Sequence, residues 1–445
     1  MRFVETIKNI SKIEDLRKRI LITFLLVLVY RVGCHVVLPG INPNELDALR
    51  SFTDSGLMQL LDMFSGGAFS QASILALGIM PYITASIVIQ LLGMVLPSFQ
   101  KLQREGESGH MKINQYTRYL TVAILLLQAP AYLVNLQVQV NSAGGAAHFS
   151  FWTMAYMTII LAAGSMFIMW LGERITDKGV GNGISFIILV GIIARLPGAL
   201  AEEFSSRLTT AQGGLVMFIV EIVLLFAVIL GAVLLVQGTR KVPVQYAKRI
   251  VGNKQYGGAR QYIPLKVNAA GVMPIIFAQA IMFIPITLAG FGAQGEGSAF
   301  VRALTDMTGF WYNAIYFVMI VLFTYFYTAI TVRPTQMAED MKRNNGFIPG
   351  VKPGKKTSDY LDSILSRITF PGSIFLGIVA IMPAFANICG VQHSFAQFFG
   401  GTSLLIMVGV VLDTLQQVES HLMMHHYDGL MKSGKLKGRT TGSGY

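Results

Sequence analysis

Glu221 and Asp413 are the residues of this chain best placed to do chemistry, because both are acids within long apolar runs. An ionisable group at membrane depth is expensive and usually functional, most often on a proton or ion pathway. Gln90 and Asn182 add polar groups in or beside other apolar runs. A proton relay needs a connected chain of such groups, and these four fall on separate segments. His421, His425 and His426 offer a second chemistry, since histidines at i and i+4 share a helix face and can bind zinc. No glutamate follows the first of them and no fourth ligand is near, so a solvated helix face is the simpler reading. GVKPGKKT (350–357) resembles the end of a phosphate-binding loop, but three residues separate Gly350 from Gly354 where four are needed. KGVGNG (178–183) reads as a turn ahead of the next helix. Spacing therefore supports no catalytic constellation, no metal and no cofactor, and the expectation is a protein that is not an enzyme.

The elements that carry these residues follow from composition. The chain has 445 residues, 53% hydrophobic and 13% charged, with a mean hydropathy of +0.56. Soluble domains carry about 25% charged residues, so the chain reads as a polytopic membrane protein. Apolar runs long enough to span lie at roughly 20–38, 74–96, 117–139, 152–172, 184–200, 214–237, 269–290, 311–332, 369–389 and 402–418. Residues 1–19 carry no cleavable leader pattern. Phe3, Ile7, Ile10, Ile13, Leu16 and Ile20 recur at helical spacing with five basic residues between them, which predicts an amphipathic cytoplasmic helix on anionic lipids. Cys34 and Cys389 are the two cysteines; both read as packing residues, although a bridge between them is conceivable.

Charge sets the orientation. Thirty of the 35 Lys and Arg fall before the first run, in every second loop, or after the last. Arg50, Arg207 and Arg302 lie on the other side, and Arg31 and Arg195 sit at run ends towards it. The bias places both termini in the cytoplasm. Two cytoplasmic loops, 238–268 and 333–368, are longer than a connection requires. Residues 240–266 hold seven basic residues and no acid, and 333–367 hold seven with four acids. Topology alone needs fewer, so the surplus predicts docking of something anionic, either ribosomal RNA or an acidic cytosolic protein.

FSGGAFSQASILALGIMPYITASIVIQ (64–90) enters its span through a glycine-rich start. Residues 57–71 are too short and too glycine-rich to cross. Leu57, Leu60, Leu61, Met63 and Phe64 give them a small apolar face, which predicts a re-entrant half-helix, since irregular backbone at that depth must be surrounded by protein or a cavity. Behind it Ile79, Ile83 and Ile87 recur every four residues, and Ile184 and Ile188 repeat the spacing. Such stripes are usually packing. Next to a movable stopper they also suit a hydrophobic constriction that excludes ions by dewetting.

Several blocks carry a resemblance to a known family. MFSGGAFSQASILALGIMPYITASIVIQLL (63–92), REGESGHMKINQYTRY (104–119), LGERITDKGVGNGISFII (171–188), YAKRIVGN with PLKVNAAGVMPIIFA (246–278), GFIPGVKPGKKTSDYL (346–361) and GGTSLLIMVGVVLD (400–413) closely resemble the SecY family. Its members are the channel-forming subunits of the bacterial Sec protein translocase. The resemblance covers essentially the whole chain in order. It implies an all-α polytopic membrane protein of ten transmembrane helices in two pseudo-symmetric halves, here 20–200 and 214–418, around a central pore, with a cytoplasmic tail at 419–445. It implies a plug on 57–71, including Leu57, Leu60, Leu61, Phe64, Gly66 and Gly67, and a pore ring of Ile79, Ile83, Ile184, Ile188, Ile276 and Ile406. A lateral gate would use Ile87, Gln90, Asn182, Asn268 and Pro274. Ribosome and motor docking would use Lys248, Arg249, Lys254, Arg260, Lys352, Lys355 and Lys356. Implied partners are SecE and SecG in the membrane, the SecA motor ATPase, the ribosome, signal sequences with their nascent chains, and anionic lipids; the implied location is the bacterial plasma membrane. Lys352 departs from the arginine usual before Pro-Gly, keeping the charge but losing the bidentate fork, and Glu221 has no assigned role.

The main alternative is a secondary transporter with inverted repeats, which would place polar substrate ligands at mid-membrane. The sequence supplies few. A scaffold without a pore would share the basic loops but would need neither the stopper nor the isoleucine stripe.

Overall fold

The computed structural model describes residues 13–41, 62, 65–142, 150–209, 214–246, 249–251, 254–256, 260–279, 281–282 and 309–432. Helices appear at all ten expected positions. In chain order they are α1 (Glu14–Cys34), α2 (Met80–Val95), the short α3 (Pro97–Arg104), α4 (Glu107–Ser142), α5 (Phe151–Lys178), α6 (Gly183–Thr209) and α7 (Gly214–Gln237). After the strands described below come α8, whose first part covers 273–279, then α9 (Phe310–Thr331), the short α10 (Pro334–Arg343), α11 (Lys355–Ile388), the single turn α12 (His393–Ala396) and α13 (Gly401–Lys432).

Among the described residues seven helices are long and apolar enough to cross a membrane, or eight if α2 and α3 count as one bent span. The shortfall from ten has physical causes. α1 opens on Glu14, Asp15, Arg17, Lys18 and Arg19, so only its second half is apolar. It runs without a break from residue 14 into the expected first span, across the expected boundary at residue 19. The second helix begins at Met80 rather than 74, because 65–79 is a series of turns. Most of the later half of the seventh run lies outside the described residues.

Packing divides the chain into two compact units, one of residues 1–53, 58–195 and 410–445, the other of 54–57 and 196–409. In the first unit Leu38, Phe69, Ala72, Ala76, Ala129, Leu133, Met157 and Leu161 share one apolar core. In the second, α9 turns Tyr312, Tyr316, Ile320, Thr324 and Thr328 inward at every fourth position. The two threonine hydroxyls donate back to the carbonyls of Ile320 and Thr324 at 2.6 and 2.7 Å, so neither is left unsatisfied in an apolar setting.

The long basic loops are built, and partly from strands that the sequence reading missed. β1 (Thr239–Tyr246) pairs antiparallel with β4 (Arg260–Lys266). Between them β2 (Arg249–Val251) and β3 (Lys254–Tyr256) pair as a hairpin. β5 (Gly346–Phe347), from the second loop, adds to the free side of β1 at Gln245 and Tyr246. Val242, Val244, Leu265, Met341, Ile348, Leu361 and Leu365 bury a common core beneath this sheet. The two loops therefore form a single platform, not two independent arms.

Candidate functional site

The expected plug region divides at the limits of the described residues. Leu57, Leu60, Leu61 and Phe64 lie outside them. Residues 65–71 are turns, not the expected half-helix. The backbone explains the difference: Gly66 (φ +66) and Gly67 (φ +91) take the left-handed region inside the segment, which breaks an α-helix, and Ala72 (φ +44) and Gly78 (φ +57) do so in the turns that follow. Glycine at 66 also allows close approach, since a Cβ there would stand 2.8 Å from Gly191 Cα and 2.9 Å from Arg31 Nη1.

The turns are tied to three helices. The Tyr30 hydroxyl and Arg31 Nη1, both on α1, donate to the carbonyls of Ser65 (3.1 Å) and Gly66 (2.8 Å). The Tyr132 hydroxyl on α4 donates to the Phe69 carbonyl at 3.1 Å. Arg195 on α6 pairs with the Asp62 carboxylate and donates to Ser70 Oγ at 3.3 Å. Asp62 Oδ1 also accepts the Ser70 amide at 2.7 Å, and Leu38 N to Ala72 O (2.9 Å) with Ile74 N to Val36 O (2.9 Å) closes a short bridge. This glycine-rich segment, expected to be a movable stopper, is densely bonded.

These turns lead directly to the isoleucines. Ile79 caps α2 and is 2% exposed, and Ile83 follows one turn on, half-buried. Ile188 is buried, and Ile184 stands over Gly172 of α5, where a Cβ would meet its Cγ1 at 3.0 Å. Ile79, Ile83, Ile184 and Ile188 belong to the first unit; Ile276, half-buried, and Ile406, buried, belong to the second.

The polar positions expected at a gate hold local structure. Gln90 Nε2 reaches Ser86 Oγ at 3.4 Å within α2, close to buried Ile87. Asn182 caps α6, its Oδ1 accepting the amides of Ile184 (3.2 Å) and Ser185 (3.4 Å). Pro274 is buried. Asn268 is also buried, and its Oδ1 has no partner among the described residues.

Lys352, Lys355 and Lys356 stand exposed around the start of α11, after turns made by Gly350 (φ +85) and Gly354 (φ +100). Arg249, Lys254 and Arg260 fall on β2, β3 and β4. Lys248 lies outside the described residues.

Glu221, unassigned from sequence, has a partner. Arg207 donates through Nε to Glu203 (2.8 Å) and through Nη2 to Glu221 (2.6 Å) and the Gly390 carbonyl (2.8 Å). Glu203 Oε2 accepts the Gln392 amide at 2.8 Å. This buried group joins α6, α7 and the turn after α11. Asp413, in the first unit, is exposed and accepts from Gln417 at 3.4 Å. Each of the two acids thus has a local partner in its own unit. Among the described residues no group of three His, Cys, Asp or Glu could hold a metal.

Comparison with known proteins covers nearly the whole chain. A family model described as SecY matches residues 73–415. The protein translocase subunit SecY of Mycobacterium bovis is 42% identical, over 97% of this chain and 99% of the relative. Among solved structures, one described as a protein conducting channel superposes with a TM-score of 0.61 at 17% identity, covering 91% of this chain and 92% of that one. Sec61 in the canine ribosome-channel complex superposes with a TM-score of 0.58 at 17% identity, with the same coverage. Those two likenesses concern the fold.

Proposed function

We propose a function that starts from kinship: the chain belongs to the SecY family, and it acts as a protein-conducting channel in a membrane that it crosses several times. Its cargo is the unfolded secretory polypeptide, and apolar segments leave sideways into the bilayer. Residues 57–71 form the plug, and Ile79, Ile83, Ile184, Ile188, Ile276 and Ile406 form the waist. The observation that carries this reading is the buried, irregular backbone of 65–79, which leads straight into Ile79. Such backbone is tolerated at membrane depth only where protein or a cavity surrounds it. A narrow aliphatic waist sheds water and so blocks ions while closed. A signal sequence opens the gate only by binding the open state better than the closed one.

The driving force comes from partners, and the platform of β1–β5 and α10 is where they dock. The ribosome is one, as in the canine channel complex, and SecA is the other. SecE and SecG complete the complex in the membrane. We assign the chain to the bacterial plasma membrane with both termini cytoplasmic, the side that holds thirty of its 35 Lys and Arg.

The test is ion conductance of the reconstituted channel with and without residues 57–71. Deletion should turn a sealed channel into a leaky one. A deletion variant that accumulates normally and stays sealed would refute the plug assignment.

A further inference from the structure

We propose that Asp62 and Arg195 form a releasable polar latch that holds the base of the plug in the closed position, with Arg31 as a second tie. The proposal rests on the reading of 57–71 as a plug. Asp62 is fully buried at the start of the turn segment. A carboxylate there is tolerable only if paired and hydrogen-bonded, and each requirement is met from a different direction. Arg195 reaches it from α6, and the Ser70 amide reaches it from within the segment. Arg195 also holds Ser70 Oγ, so one guanidinium grips both ends of the turn. Arg31 grips its middle at the Gly66 carbonyl. Moving residues 62–70 away from α1 and α6 breaks all of these bonds together.

The exposure of the partners makes the latch releasable. The side chain of Arg195 is 30% exposed and that of Asp62 1%. Arg207 and Glu221, by contrast, are 8% and 4% exposed. When the plug moves, the arginine already has access to water and only the carboxylate must be rehydrated. Such a pair biases an equilibrium without locking it.

The charge pattern supports the same assignment. Five of the 35 Lys and Arg fall outside the cytoplasmic groups. Three of these, Arg31, Arg195 and Arg207, are described, and each is committed to a specific acid or carbonyl. Two of the three hold the plug base.

The experiment measures resting ion conductance of the full-length channel complex purified from its native membrane and reconstituted in vesicles. Asp62→Asn and Arg195→Gln should each raise the resting leak about tenfold, equivalent to about 1.4 kcal/mol of closed-state preference. The double variant should leak no more than either single one, because both remove the same interaction. Arg195→Lys, which keeps the charge, should stay close to the parent. Neither a general loss of packing nor independent local effects would give this pattern. If Asp62→Asn fails to accumulate, Arg195→Gln against Arg195→Lys decides alone. Sealed single variants beside a leaky deletion of 57–71 would overturn the latch and leave the plug standing. Additive single variants would also overturn it. A sealed deletion would remove the plug, and the latch with it.

Discussion

Replacing Arg207 by Met tests whether the buried group at the α6–α7 end is a structural tie or a proton site. Arg207 stands between two acids, with bonds of 2.8 Å to Glu203, 2.6 Å to Glu221 and 2.8 Å to the Gly390 carbonyl. Glu203 and Glu221 are 0% and 3% exposed. Methionine keeps an unbranched apolar stem but leaves two carboxylates facing each other with no cation. Breaking a buried pair from one side costs about 3–5 kcal/mol. Glu221→Gln is the contrasting change: it keeps an acceptor for Arg207 and leaves one acid opposite one base, at a cost of about 1 kcal/mol. On a scale of about 2–4 °C per kcal/mol, Arg207→Met should lower the thermal midpoint of the detergent-purified protein by about 6–20 °C, and Glu221→Gln by about 2–4 °C. The order of the two variants decides. Equal midpoints would mean that the group does not hold α6, α7 and the 390–392 turn together. A translocation rate that falls with Glu221→Gln while the midpoint holds would revive a proton role for that acid.

Two other predictions are simpler to check. Cys34 is buried and Cys389 exposed, and neither is bonded to the other, so a maleimide should add one label to the folded protein under non-reducing conditions and a second only after denaturation, read by mass. Reversing Lys352, Lys355 and Lys356 to Glu should weaken ribosome binding at least tenfold and flatten its salt dependence, since each lost phosphate contact removes a released counterion. Binding unchanged across a salt series would place the docking surface elsewhere.

The membrane helices were legible because an apolar window long enough to span is a strong signal, and α5, α6, α7 and α9 fall almost where hydropathy put them. The β-ribbon was not. In β1, Val242 and Val244 alternate with exposed neighbours, which is a strand pattern, but Pro243 lies between them and argues against a strand. It is tolerated because β5 pairs only with Gln245 and Tyr246, leaving β1 with a single partner at Pro243. The turns at 65–71 were misread for the opposite reason. The apolar spacing suggested a helix over 57–71, and Gly66 and Gly67, both at positive φ, prevent one in its described part; Ala72, at positive φ just beyond, is a position no sequence rule marks. Half of the Arg207 group was visible as an i, i+4 pair with Glu203. Its other half depends on a chain reversal between α6 and α7, and spacing along a single helix carries no trace of it.

α11 runs unbroken for 34 residues from Lys355 to Ile388. At about 1.5 Å per residue that is about 51 Å, against a hydrocarbon layer of about 30 Å. About 20 Å of the rod therefore extends beyond the hydrocarbon layer, where Leu361 and Leu365 fasten it into the platform. Lys355 and Lys356 stand at the end of a lever whose other arm is the apolar half of the helix. Pro371, just beyond the fastened part, removes one backbone hydrogen bond and supplies the elbow. The platform and the apolar half of α11 are thus joined by one continuous piece of backbone, and a displacement at its Lys355 end is passed on through the bend at Pro371.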